Sequence, residues 1–363
     1  MQPVASNERK TRAVKPTVGW LTVNRECNMR CGWCYAKGTG YKKSDEMSLD
    51  LATELLDTMS ASGVNKVILI GGEPTLWSSL FDCNEYAQSL GLSTTLVTNA
   101  TRFSIDSFWE RYSANPCSHT SISIKAYDED SYRCVTGRSN FEQTKSGIRR
   151  ALSLTTSANA SVVFTGEDME EMTNLARFAR ECGARGLTIS PSTPPYVGGK
   201  AEIGTVTHPQ KFVDSFVAIY DELDRIFEGR MSLSVKLPLC IWPREFILAM
   251  IAKGQLYSTC QLQHRSGLLF DTVGNLISCN SIADYTIGSW GKNFSNAETL
   301  ATHLEGEAVG KFYDQMNRYA SSKCITCSMK HKCGGGCPLF YGAFAGDDII
   351  RGWDEPIKVP AMA

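Results

Sequence analysis

The chain has 363 residues, 42% hydrophobic and 21% charged, an ordinary globular composition with material for a sizeable core. Its formal net charge of −1 gives no electrostatic ground for a nucleic-acid partner. The N-terminus lacks the apolar stretch of a signal peptide, and no apolar run approaches membrane-spanning length, so a cytoplasmic protein without membrane contact is expected. Fourteen cysteines in such a chain point to metal or redox chemistry rather than a disulfide framework.

Residues 1–16 read as a flexible tail carrying the basic run Arg9, Lys10, Arg12 and Lys15. Over 17–204, short β-branched runs alternate with amphipathic stretches, the pattern of βα units around a parallel sheet. Strands are expected at Thr17–Val23, Lys66–Ile70, Ser93–Val97, Thr120–Ile124, Ser161–Phe164 and Gly186–Ser190. Between them, Ser48 caps a helix whose apolar stripe is Leu49, Ala52, Leu55, Leu56 and Met59. Asp168 and Glu171 suggest a capping box opening a helix through Glu181, with Gly183 as its stop. The loop Pro191–Gly204 reads as a connector beside the substrate. Residues 205–256 read as a helical bridge, with one helix through about Phe227 and another from Arg244 to Lys253. Residues 257–363 are loop-rich and cysteine-rich, with a hairpin signal at Gly274-Asn275.

Cys27, Cys31 and Cys34 stand in the array C-N-M-R-C-G-W-C. A four-iron cluster normally takes four cysteines, so a set of three suggests that a small molecule completes the site. A structural zinc site closes with four ligands, and no fourth cysteine or histidine lies nearby. The loop, including Trp33 before its last cysteine, resembles the signature of the radical S-adenosylmethionine (SAM) superfamily. The resemblance implies a partial (β/α)6 barrel, with a [4Fe-4S] cluster whose open iron is chelated by SAM. Reductive cleavage of SAM then releases a 5′-deoxyadenosyl radical. In barrels of this kind the chemistry sits at the C-terminal ends of the strands.

Further segments carry the same resemblance. Gly71, Gly72, Glu73 and Pro74 match the family's G-G-E-P motif, whose Glu side chain and backbone receive the SAM ammonium. Their glycines permit close backbone approach. Thr98 and Asn99, followed by Ala100, resemble the T-N-G/A segment beside the methionine moiety. Ser123 and Lys125 share one face of the fourth strand and match positions that face the SAM ribose and carboxylate. In the segment Tyr127–Gly137, Thr136 replaces the family's Arg, and Arg138 two residues on is a substitute. Ser190, ending the sixth strand, is a further candidate for SAM contact.

Toward the C-terminus, Cys260 precedes Gly274 and Cys279, and Cys324, Cys327, Cys333 and Cys337 follow in the spacing C-x2-C-x5-C-x3-C. A zinc ribbon would use the last four as one tetrahedral set. The full spacing resembles the SPASM domain, which carries auxiliary [4Fe-4S] clusters in radical SAM enzymes that act on peptides. By that pattern Cys260, Cys279 and Cys337 hold a first auxiliary cluster, and Cys324, Cys327 and Cys333 a second. The family's seventh cysteine is absent after Cys337, so the second cluster takes a non-cysteine ligand, with Asp347 or Asp348 the nearest oxygen donors, or keeps an open iron, or does not form; one or two auxiliary [4Fe-4S] clusters are expected. Cys240 is either a fourth ligand of the first cluster or a buried small hydrophobe. Core packing is the default for Cys83, Cys117, Cys134 and Cys182.

The expected activity is oxidative modification, by crosslinking or dehydrogenation, of a ribosomally made peptide. The alternatives are dehydrogenation of a small-molecule alcohol or amine, and a non-enzymatic iron–sulfur or zinc protein. Sulfatase-maturing relatives place an Asp directly after the cysteine of the G-x4-C unit, where this chain has Asn280; Asp284 or Tyr285 stand as candidate bases instead. The expected partners are the substrate and an electron donor such as flavodoxin or ferredoxin. Because the barrel starts about seventeen residues in, a leader peptide would be gripped by the barrel, the SPASM region or a separate leader-binding protein.

Overall fold

The computed structural model describes residues 15–36, 40, 42–154, 157–204, 206–257, 260–316, 321–329 and 333–352; the basic residues Arg9, Lys10 and Arg12 lie outside these. Six strands form where the sequence places them: β1 (Val18–Thr22), β2 (Lys66–Ile70), β3 (Ser93–Thr98), β4 (His119–Ser123), β5 (Ser157–Phe164) and β6 (Leu187–Pro191). Short strands β7 (Tyr196–Val197) and β8 (Lys200–Ala201) make a separate ribbon within the expected connector. Five more follow: β9 (Met231–Ser234), β10 (Leu256–Tyr257), β11 (Gly267–Phe270), β12 (Asn275–Ile277) and β13 (Thr286–Ser289).

Eleven of these strands form one sheet in the order β10-β9-β6-β5-β4-β3-β2-β1-β11-β12-β13. Every pairing from β10 to β11 is parallel, and only β11–β12 and β12–β13 are antiparallel. Because β10 and β13 do not pair with each other, the sheet stays open, as a partial barrel does. The parallel part exceeds the expected six strands. The bridge 205–256 is therefore not purely helical: β9 extends the sheet beside β6, and β10 extends it beside β9.

Parallel neighbours require long crossovers, and helices supply them. The first is α1 (Leu49–Ala61), where Ser48 Oγ accepts the Leu51 N–H at 3.2 Å. Ala52, Leu55, Leu56 and Met59 on its inner face are fully buried, each of the larger ones contributing about 1.5–3 kcal/mol. Then come α2 (Leu80–Ser89), α3 (Asp106–Ala114), α4 (Glu129–Thr136), α5 (Phe141–Leu152) and α6 (Met169–Glu181). Asp168 caps α6, accepting the Glu171 N–H at 2.8 Å. After the sixth strand come α7 (Pro209–Ile226) and α8 (Arg244–Ala252), close to the expected helices. The Gly274-Asn275 hairpin forms as β11–β12, with Gly274 at φ 81°. Among the described residues no helix is long and apolar enough to cross a membrane.

Candidate active site

The loop after β1 carries Cys27, Cys31 and Cys34, all half-buried, and segments following β2, β3 and β4 grip it. The Gly72 and Glu73 N–H groups donate to the carbonyls of Asn24 and Glu26 at 2.9 and 2.7 Å. A Cβ on Gly71 would stand 2.4 Å from the Asn24 side-chain oxygen, and one on Gly72 2.1 Å from the Glu26 carbonyl oxygen. These glycines thus admit the cysteine loop's own backbone. Asn99 Nδ2 donates to Asn28 Oδ1 at 2.7 Å. Arg138 Nε donates to the Asn28 carbonyl at 2.7 Å, and the Arg30 N–H reaches the Thr136 carbonyl at 2.9 Å. Arg138 therefore holds the loop, a job visible in no motif.

Glu73 is buried at 2% exposure. Its Oε1 accepts from the Thr75 N–H (3.2 Å), Thr75 Oγ1 (2.7 Å) and Thr98 Oγ1 (2.6 Å), and its Oε2 accepts the Asn99 N–H at 2.8 Å. A carboxylate has about four acceptor sites, two on each oxygen, so the capacity left for a ligand ammonium is on Oε2. Burial raises the Glu73 carboxyl above its ordinary range although these donors pull it down, an environment that favours a cation nearby. The sequence assigned Glu73 to the ligand; the structure adds that it ties the ends of β2 and β3 together. Pro74 opens a short 3₁₀ turn, Pro74–Leu76, with Glu73 as its cap.

Burial pushes the Cys27 thiol up to about 12, against the Met29 N–H that donates to its sulfur. Cys31 is also raised by burial and is pulled down by the nearby Lys125 ammonium. A bound metal would reverse this, since coordination deprotonates a thiol outright. The Trp33 indole N–H is buried with no partner among the described residues, an orphan donor beside the last cysteine. Ser123 and Ser190 are half-buried on β4 and β6. These features fit a cluster and a SAM molecule on this end of the sheet.

Tyr35 links this loop to the C-terminal cysteines. Its hydroxyl donates to the Gly71 carbonyl at 3.1 Å, and burial raises it further while Cys34, Cys27 and Cys279 all act on it electrostatically. Sequence reasoning passed over Tyr35, although its place directly after Cys34 was a signal.

The C-terminal thiols fall into two groups. Cys337 is pushed up to about 12 by burial and then by Cys260 and Cys279, which marks the first group. Lys236 is half-buried beside it, donating to the Pro191 carbonyl at 3.0 Å and Thr193 Oγ1 at 2.8 Å. Burial lowers the Lys236 ammonium while the three thiols hold it up. The second group comprises Cys324, Cys327, Cys333 and also Cys240, which together line one cavity. Cys240 is therefore corrected: it stands with the second group and not the first. Asp347 and Asp348 are exposed, Asp347 accepting from Ser321 Oγ at 2.7 Å, and neither lines that cavity.

Two further candidates stay outside. Asp284 is exposed and accepts the Gly40 N–H at 3.3 Å, while Tyr285 is 45% exposed and stacked on Phe312 at 4.8 Å. Cys83, Cys117 and Cys182 are buried as expected, whereas Cys134 is exposed. Among the described residues no three His, Cys, Asp or Glu side chains converge on a single metal ion. That speaks against a zinc ribbon, whose thiolates meet one ion at about 2.3 Å.

Comparison with known proteins agrees with this geometry. Residues 21–179 match the radical SAM superfamily. The GTP 3′,8-cyclase of Mannheimia succiniciproducens is 31% identical over 37% of this chain and 40% of its own length. The AdoMet-dependent heme synthase of Methanosarcina barkeri is 28% identical over 44% of this chain and 45% of its own. The chain thus spans less than half the length of these curated relatives. Likeness in fold is far more extensive. A structure of anSMEcpe with bound AdoMet and Kp18Cys peptide superposes with TM-score 0.67 and 18% identity, covering 90% of this chain and 91% of that one. Streptococcus suis SuiB bound to its precursor peptide SuiA gives TM-score 0.65 and 15% identity, covering 92% and 75%. Residues 21–179 thus form a radical SAM domain, and the fold that the chain shares with anSMEcpe and SuiB continues from it through the cysteine-rich C-terminal part.

Proposed function

We propose that the enzyme oxidatively modifies a ribosomally made peptide, crosslinking or dehydrogenating it. SAM and a four-iron cluster on Cys27, Cys31 and Cys34 supply, when bound, a radical able to take hydrogen from an unactivated carbon. The protein supplies position, dryness and an exit for the second electron. Gly71, Gly72, Glu73, Thr98 and Asn99 lock three loops into one cradle, with Glu73 Oε2 for an ammonium. Lys125, Ser123 and Ser190 offer polar groups at the strand ends. Trp33 provides one orphan donor.

The observation that carries the reading is the half-buried Tyr35, directly after Cys34, whose hydroxyl donates to the Gly71 carbonyl at 3.1 Å and which both Cys34 and Cys279 influence electrostatically. This supports an electron sink on the side of the barrel loop that Cys279 faces. Substrate class is supported by the fold shared with anSMEcpe and SuiB, both solved with peptides. An electron donor such as flavodoxin or ferredoxin supplies the first electron, a separate protein or the SPASM-type part holds any leader, and the setting is the reducing cytoplasm, where thiols persist.

A second reading, oxidation of a small-molecule alcohol or amine, is favoured by the curated relatives, a GTP cyclase and a heme synthase. The test is anaerobic incubation of reconstituted enzyme, reductant and SAM with short precursor peptides encoded near its gene, read by mass spectrometry. Formation of 5′-deoxyadenosine with loss of a hydrogen pair from a peptide is expected. Turnover on aminocyclitols or amines with every peptide unaltered would replace this reading by the second.

A further inference from the structure

We infer that Cys240 is the fourth protein ligand of the second auxiliary cluster, standing in for a cysteine that would follow Cys337. The inference rests on the SPASM-type reading of the C-terminal part and assigns a site within it. Cys240 lies on the 3₁₀ turn Leu239–Ile241, between β9 and α8 and ahead of the whole cysteine-rich region. With Cys324, Cys327 and Cys333 it lines one cavity whose walls carry almost no polar atoms. Four thiols around one dry cavity are the donor set of a [4Fe-4S] cluster, one cysteine to each iron. The same four do not converge as a single ion would demand.

Two backbone groups and a hydroxyl support the assignment independently. The Arg351 N–H donates to Cys240 Sγ at 3.3 Å, and the Leu239 N–H donates to Cys333 Sγ at 3.2 Å. Donors aimed at sulfur are a feature by which proteins hold and tune such clusters. The Tyr341 hydroxyl is buried without a partner among the described residues, and Cys333, Cys324, Cys240 and Cys337 all act on it. A buried unsatisfied hydroxyl is costly, and cluster sulfur would satisfy it. The rivals do not compete: Asp347 is exposed and bound to Ser321, and Asp348 is exposed. The second site is thereby closed by four thiolates. The first, with Cys260, Cys279 and Cys337, is the one left with an iron for another ligand.

The test uses the full chain with Cys27, Cys31 and Cys34 all changed to Ala, so that only auxiliary iron remains. Reconstituted anaerobically, this background is expected to hold about eight irons, two four-iron clusters. Adding Cys240→Ala should remove up to half of that iron or leave a three-iron cluster visible by EPR and Mössbauer spectroscopy. Asp347→Ala with Asp348→Ala should leave iron and spectra unchanged. Should Cys240→Ala prove unfolded by circular dichroism, Cys240→Ser decides: its oxygen ligand is expected to shift the spectrum and potential of one cluster only. A full iron complement with unaltered spectra in Cys240→Ala or, where that fails to fold, in Cys240→Ser would overturn the assignment, as would iron loss in the Asp variant. Zinc, or no iron, in the background protein would instead refute the SPASM-type reading beneath it.

Discussion

Lys236 is the residue whose role the sequence showed least and whose consequence is most direct. It is half-buried, Cys337, Cys279 and Cys260 act on its ammonium, its side chain reaches the end of β6, and its carbonyl accepts the Cys337 N–H at 2.7 Å. A buried ammonium needs compensating negative charge, and thiolates bearing a cluster provide it. Charge near a cluster sets its potential, because a cation favours the added electron. Lys236→Met should therefore move the midpoint of the first auxiliary cluster to more negative potential and leave the second unmoved. A redox titration followed by EPR reads this, and an unshifted first midpoint would remove Lys236 from the electron path. Nothing in the sequence set Lys236 apart from other lysines, since its significance lies in contacts with residues remote along the chain. Glu73, by contrast, was legible as a ligand group from its motif, and only its four protein donors were not.

Among elements, the cysteine loop and the turn after β2 behave as one unit. Gly72 passes so close to Glu26 that an added Cβ would lie 2.1 Å from a backbone oxygen, which no side-chain rotation relieves. Gly72→Ala should cost about 1–3 kcal/mol of stability, the usual scale of overpacking. It should also lower iron on the barrel triad while auxiliary iron is retained. Thermal denaturation together with iron analysis measures both, and a variant with full iron and unchanged melting would disprove the coupling. Strands β1 to β6 and helices α1 and α6 were readable because apolar period and caps are local signals. Strands β9 and β10 were not: Met231–Ser234 and Leu256–Tyr257 are too short to show a period, and their pairing with β6 and each other is set by tertiary contact. Cys240 was left between the first cluster and core packing for the same reason, since spacing reveals which cysteines are neighbours in sequence and not which wall they share.

At the scale of the whole molecule, the cysteine-rich part is joined to both flanks of the barrel sheet. Strand β11 continues the sheet beside β1, which leads into the cysteine loop, and Cys279 follows β12 at that flank. On the other flank β9 pairs with β6 and leads to Lys236 and Cys240. The segment 321–352 meets the second flank through Cys337 and Lys236, and through the cavity that Cys240 shares with Cys324, Cys327 and Cys333. Among its described residues the helices Lys323–Thr326, Pro338–Ala343 and Gly346–Ile349 are each six residues or fewer, so they contribute few backbone hydrogen bonds. Metal that binds only the folded form contributes its binding free energy to folding. Iron removal should therefore loosen this segment and the stretch 236–242 first. Barrel strands β2 to β5 sit in the interior of the sheet, paired on both sides. Hydrogen exchange on reconstituted and chelator-stripped protein tests this: faster exchange is expected in 236–242 and 321–352, with β2 to β5 still protected. Equal loss of protection in the barrel strands would mean that the iron sites and the sheet unfold as one cooperative body, and that the C-terminal part is no separate unit of stability.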